Sequence, residues 1–274
     1  MSGTEIVPGK AIRQTRSNEI DEANIDAICI PYEPTERGKV TFNPTNPCIV
    51  TFRDPDSPVT EQYRKLKTMI LKMTRNELRN MLLVTSSLSG EGKSVTCANL
   101  AILLAREYGQ TVLLVDADLR KPALQNYLGI APVFGLADCL NDRIDVGKAI
   151  VKTGLPKLSF LSAGKEVADP AELLSSYRMK ELLVELKHRY RDRYIIIDTS
   201  PTLLFADSLA LSTLVDGVVV VVKEGVASLQ GIRETLDILK GTSLLGIVYN
   251  DVSAESLDGK YYKYYKQYKR YQKH

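Results

Sequence analysis

The chain lacks any apolar run near the roughly 20 residues that a membrane-spanning helix needs. Its most apolar stretch, Val218 to Val222, is only as long as a strand. Its opening, MSGTEIVPGK, lacks the apolar core of a signal peptide, so a cytoplasmic protein is expected. Cysteine is scarce: Cys29, Cys48, Cys97 and Cys139 stand far apart, with no CxxC and no histidine pair beside them. That spacing argues against a zinc or iron–sulfur site and leaves reduced thiols serving as small apolar residues. The last sixteen residues, GKYYKYYKQYKRYQKH, contain no acid at all.

What the chain does have is apolar bulk, 44% of 274 residues, enough for one sizeable core. The net charge is only +3, but six Lys or Arg fall in the last sixteen residues, so the basic character is local. Residues 1–56 are rich in charge, Pro, Asn and Thr with little periodicity, and are expected to form a mobile leader with one short strand around Ile28 to Ile30. From Ser57 a helical pattern begins, with Val59, Tyr63, Leu66, Ile70 and Met73 on one apolar face. Residues 57–256 then alternate strand-like runs (MLLVTS, TVLLVDAD, LSFLSA, YIIIDTS, GVVVVV, LLGIVYN) with helical stretches at Val95 to Tyr108, Ala171 to Tyr190 and Leu229 to Leu239. Continuous apolar strands joined by helices imply an α/β, doubly wound, mostly parallel sheet covered on both faces. In such sheets ligands bind at the carboxyl ends of the strands.

The first strand is followed by SSLSGEGKSVT, which fits the phosphate-binding pattern GxxxxGK[ST] except that Ser87 replaces the first glycine. Around Ser89, Gly90, Glu91, Gly92 and Val95, the glycines let backbone amides approach phosphate oxygens. Lys93 is placed to reach the β and γ phosphates and the Ser94 hydroxyl to ligate Mg²⁺. The second strand ends LLVDADLRKP, with Asp116 and Asp118 on one side of an extended chain and Arg120 two residues on. The fourth ends YIIIDTSP, which puts Asp198 where a carboxylate holds a metal's water shell. The plain alternative makes these aspartates strand-end caps of the following helices.

In this order and spacing, GEGKS, VDADLRKP and IIIDTSP resemble the Walker A, Walker A′ and Walker B motifs of bacterial tyrosine kinases. These are the Wzc-type and CapB-type autokinases of capsule and exopolysaccharide synthesis, built on a MinD/ParA-like P-loop fold. The resemblance runs from about Ser57 to the C-terminus and includes the tyrosine cluster. It implies ATP and Mg²⁺ as cofactors, with Lys93 and Ser94 serving the phosphates and metal, Asp116 and Asp198 organising the metal, and Asp118 facing the incoming tyrosine hydroxyl. Arg120 either stabilises phosphate charge or pairs with an acid, and Asn250 stands where this fold often contacts adenine. SAGKEVADPAELLSS is similar to the family's AGxxxxNPxELL segment, with Asp169 in place of Asn. EQYRKLK resembles its ExxRxxR interface helix, with Glu61 and Arg64 matching and Lys67 replacing the final Arg, which keeps the charge but loses the bidentate fork. The resemblance further implies a ring-forming homo-oligomer, a separate membrane activator, a cognate phosphotyrosine phosphatase, and no nucleic-acid partner. Leu88 stands where ParA and MinD relatives carry a signature lysine, which disfavours a partition or division-site ATPase. The remaining alternative is a nucleotide-dependent scaffold docked through its basic tail.

In the tail, residues 257–274, the resemblance makes Tyr261, Tyr262, Tyr264, Tyr265, Tyr268 and Tyr271 phosphoacceptors used in trans. Five of them, all but Tyr262, also follow helical spacing, so a basic amphipathic helix for anionic lipid or polyanion stays open.

Overall fold

The structure, a computed structural model, describes residues 42–44, 46–74, 79–189 and 193–253. The elements follow one another as α1 (Val50–Arg53), α2 (Pro58–Thr74), β1 (Met81–Ser86), α3 (Lys93–Ala105), β2 (Thr111–Asp116), α4 (Leu124–Leu128), α5 (Leu136–Asn141) and α6 (Val146–Ala149). They continue as β3 (Val151–Lys152), β4 (Leu158–Leu161), α7 (Pro170–Leu174), α8 (Tyr177–Arg189), β5 (Arg193–Asp198), α9 (Asp207–Ser212), β6 (Gly217–Lys223), α10 (Leu229–Ile238) and β7 (Leu244–Asn250).

The strands form one sheet in the order β3-β4-β2-β5-β1-β6-β7, and every pairing but β3 with β4 is parallel. The inner strands β1, β2, β5 and β6 are apolar along most of their length because both faces are covered, whereas the edge strand β7 departs from that expectation, with Leu244, Ile247 and Tyr249 exposed. Leu83, Leu113, Val115, Ile195, Ile197, Val218 and Val220 point into one core, and Leu82, Val84, Val112, Leu114, Ile196, Val219 and Val221 into the other. α3 is apolar all round because it lies between the sheet and α1 and α2. β1 is followed by a crossover to β2, whereas β5 crosses to β6 on the other side, so the winding reverses beside β1. The carboxyl ends of β1, β2 and β5 converge at that reversal, where an open sheet leaves a crevice.

The doubly wound, mostly parallel fold is as expected, with local differences. The expected helix from Ala171 to Tyr190 is two, because the Ser176 hydroxyl accepts the Met179 N–H and starts α8 afresh after α7. β3 and the short helices α4, α5, α6 and α9 are too brief to show periodicity. On α2, Tyr63 and Ile70 are buried as expected, but Val59 and Met73 are exposed and Thr60 and Thr74 take buried places. Thr74 does so because its hydroxyl is satisfied by the Ile70 carbonyl and the Tyr194 hydroxyl.

The end of the expected leader belongs to the packed body. Phe42 and Ile49 are buried in the core that holds α3, and Phe42 meets Phe52 edge to face with centroids 4.8 Å apart. Buried Asn99 on α3 provides the polar partners for this segment: its Oδ1 accepts the Thr51 N–H at 3.0 Å and its Nδ2 donates to the Cys48 carbonyl at 2.8 Å. The expected strand at Ile28 to Ile30 lies outside the described residues. Cys97 and Cys139 are buried free thiols, as small apolar residues should be, whereas Cys48 is exposed. Among the described residues no helix is long and apolar enough to cross a membrane.

Candidate active site

The loop between β1 and α3 turns on two glycines in the left-handed region, Gly90 (φ 84°) and Gly92 (φ 90°), and its apex at Ser89 and Gly90 is exposed. α3 begins at Lys93, so its first-turn N–H groups face the loop, the arrangement that binds anions at helix N-termini. Ser94 is buried in that first turn, and Val95 follows it half-buried. Ser87, where the motif usually has glycine, is hydrogen-bonded through its hydroxyl to Thr235 of α10 at 2.8 Å. Glu91 points inward rather than toward the loop mouth. It is fully buried and accepts the Leu88 N–H at 2.6 Å and the Lys223 N–H at 3.3 Å.

The Lys93 ammonium meets Asp118 Oδ2 at 2.7 Å. Burial alone would lower the lysine's pKa, but the charges of Asp198 and Asp118, with the Asp118 hydrogen bond, outweigh it and hold Lys93 above its ordinary value. Asp118 Oδ1 also accepts the Lys121 N–H at 3.0 Å, which fixes the turn after β2.

Asp116 and Asp198 are opposite each other in the β2–β5 register, so two carboxylates share one level of the sheet, about 4.8 Å of strand spacing apart. Asp116 is tied into its own loop, accepting from the N–H groups of Asp118, Ala123 and Leu124. The cap reading thus holds for part of its role. Asp198 differs: it is fully buried, and neither carboxylate oxygen has a hydrogen-bond partner. The Ser94 hydroxyl and Cys97 thiol come close enough to lower its pKa without reaching good bonding geometry. Burial, then the Asp198 charge, push Asp116 well above the ordinary carboxylate range, and burial pushes Asp198 up against the pull of Lys93. Two buried carboxylates with one lysine between three acids form a site that favours a further cation.

The residues therefore fit Mg²⁺ carried by a nucleotide. Among the described residues no three His, Cys, Asp or Glu side chains form a cage of their own. A phosphate-bound Mg²⁺ does not need one, since it draws on phosphate oxygens, one hydroxyl and water.

Arg120 pairs with an acid. Its Nε and Nη2 fork onto Asp207 at 2.8 and 3.0 Å, and its guanidinium stacks over Phe205 at 4.3 Å. Asp207 is fully buried and also accepts the Ser200 hydroxyl at 2.9 Å, so the loop after β2 is tied to the loop after β5. Sequence reasoning missed Asp207, since a lone aspartate at a helix start carries no motif. Asp169 caps α7 by accepting the Glu172 N–H at 3.1 Å, and its charge bears on Arg120.

The expected interface residues are engaged within the chain. Arg64 binds Glu61 at 2.9 Å and the Pro55 carbonyl at 2.8 Å, and Lys67 pairs with Glu107. Asn250 sits beside the phosphate loop, donating to the Glu91 carbonyl at 2.9 Å. The six tail tyrosines lie outside the described residues.

Comparison with known proteins bears on the family and the fold. A family model described as an AAA domain matches residues 80–244. Over 204 residues the chain is 34% identical to the tyrosine-protein kinase YwqD of Bacillus subtilis, covering 74% of this chain and 85% of that one. Over 228 residues it is 32% identical to the putative tyrosine-protein kinase EpsB of Ralstonia solanacearum, covering 81% of this chain but only 30% of that longer protein. The solved BceF tyrosine kinase domain superposes with a TM-score of 0.68 at 31% identity, over 75% of this chain and 82% of that one. With its phosphate loop, paired strand-end aspartates and these relatives, the chain belongs to the bacterial tyrosine-protein kinase family.

Proposed function

We propose that this chain transfers the γ-phosphoryl group of Mg-ATP to tyrosine hydroxyls, those of its own C-terminal cluster among them. The observation that carries this reading is Asp118. A buried carboxylate held against the loop lysine, two residues beyond β2, supports a proton acceptor beside a phosphate site. A phenol with a pKa near 10 is a weak nucleophile at neutral pH, so a carboxylate that orients it and takes its proton is the group the chemistry needs. As the tyrosine oxygen bonds to phosphorus, its proton passes to Asp118 and the bond from the γ-phosphorus to the bridging oxygen breaks, leaving ADP. Lys93 neutralises the charge gathering on the phosphates. When bound, Mg²⁺, held by Ser94 and through water by Asp198 and Asp116, supplies further charge neutralisation.

The resemblance of EQYRKLK to an interface helix supports a ring of copies in which one tail enters a neighbour's site. The family's link to capsule and exopolysaccharide synthesis supports regulation of that export. It also supports membrane association through a separate activator and reversal by a phosphotyrosine phosphatase. Each phosphate adds about −1.5 to −2 charge, so four would at least cancel the tail's six basic residues and switch its contacts.

Intact-mass spectrometry after incubation with Mg-ATP tests the central step. Successive additions of about 80 Da in the wild type, absent in Lys93→Met and in a chain ending at Gly259, are expected. ADP release without any mass addition, even with an activator present, would replace the kinase with an ATPase switch and return the tail to a basic anchor.

A further inference from the structure

Asn250 closes β7 and contacts the phosphate loop, not open space. Its Nδ2 donates to the Glu91 carbonyl at 2.9 Å, and a Cβ added to Gly92 would stand 2.1 Å from that nitrogen. Gly92 is therefore needed twice, once for its left-handed backbone and once to admit the asparagine amide. The Glu91 carboxylate grips the same junction from the other side. It accepts backbone N–H groups of Leu88, at the start of the loop, and of Lys223, at the end of β6. Lys223 is the register partner of Asn250, Glu224 N–H donates to the Asn250 carbonyl at 3.2 Å, and Lys223 Nζ pairs with Asp251 at 2.8 Å. The peptide joining Glu91 to Gly92 is thus anchored to the ends of two strands.

A trans peptide points its carbonyl and its N–H in opposite directions. With the Glu91 carbonyl fixed outward on Asn250, the Gly92 N–H is turned into the loop, where phosphate oxygens are received. We infer that Asn250 and Glu91 are positioning residues that hold the loop in its phosphate-binding shape, and that Asn250 acts on the phosphates through this peptide and not by reading the base. The inference rests on the nucleotide reading above and deepens it. Because the chain passes from Asn250 through Ser253 toward the tail, the same bond joins the loop to the strand from which the substrate segment departs.

The test compares two probes that differ only in the presence of a nucleoside: Mg-ATP and Mg-tripolyphosphate, titrated calorimetrically into the full chain. Asn250→Ala is expected to weaken both by the same factor, about two- to tenfold, the usual worth of one hydrogen bond. Asn250→Asp, nearly isosteric but unable to donate to a carbonyl, is expected to weaken both at least as much, and Glu91→Gln likewise. Thermal melts establish that the variants are folded. Loss confined to ATP, with tripolyphosphate unaffected, would make Asn250 an adenine reader and overturn the inference, as would no loss with either probe. So would a wild type that binds Mg-ATP but not tripolyphosphate. A wild type that binds neither would defeat the nucleotide reading itself.

Discussion

Replacing Asp198 with Asn should make the metal-free protein more stable while disabling its site. Asp198 is fully buried and both its oxygens lack hydrogen-bond partners, so its charge is held at a cost. Burial raises its pKa from 3.8 to about 6 against the opposing pull of Lys93. A raised folded-state value means the folded protein binds the proton more tightly than the unfolded chain. The associated stability is fully present below about pH 4 and is lost as pH rises through 6. Above that window the loss is about 3 kcal/mol, from about two pH units at 1.36 kcal/mol each. Asn carries no charge but brings an amide that needs partners, which returns about 1 kcal/mol. The net gain is about 2 kcal/mol at pH 8, or a melting temperature higher by about 4–8 °C for a chain of this size, shrinking toward pH 5. Differential scanning calorimetry in EDTA across pH 5–8 measures it. The wild type, but not Asp198→Asn, should then gain stability from Mg-ATP. A variant that melts lower than wild type at pH 8, or whose gain does not change with pH, would refute the reasoning.

Two further substitutions probe the surroundings. Asp207→Ala leaves the Arg120 fork without its fully buried partner, so a stability loss of about 3 kcal/mol in urea unfolding is expected, together with slower phosphotransfer as the loop after β2 loosens. Unchanged stability would show that the fork contributes nothing. Asn99→Ala strips the Thr51 N–H and the Cys48 carbonyl of their buried partner, costing about 1–3 kcal/mol. Faster proteolysis near residue 50 should accompany that loss, and neither effect would appear if residues 46–56 were a loose leader.

Much of the architecture could be read in advance because the inner strands β1, β2, β5 and β6 are buried on both faces. Runs such as GVVVVV and YIIID admit few other placements, and a glycine-rich loop between such a strand and an apolar helix restricts the site further. The parts that escaped depend on distant partners. Residues 42–56 look disordered by composition, yet one buried asparagine 48 positions away from Thr51 holds them. Glu91 is anonymous within GEGKS until β6 and the loop start supply two N–H groups for it. Asp207 acquires meaning only once Arg120, 87 positions earlier, is beside it. Pattern reading detects periodicity along the chain, whereas hydrogen bonds across such separations are set by the fold.

The pairing of Lys93 with Asp118 also bears on the order in which ligands arrive. The Lys93 ammonium is already matched by Asp118, and the buried Asp116–Asp198 pair behind it, although burial favours a proton on Asp116, holds a further negative charge on Asp198 at neutral pH, so the resting site carries an acidic surplus. Such a surplus repels a bare polyphosphate and attracts cations. Against such a surplus a polyphosphate chelated by a divalent cation meets less repulsion than the bare anion does.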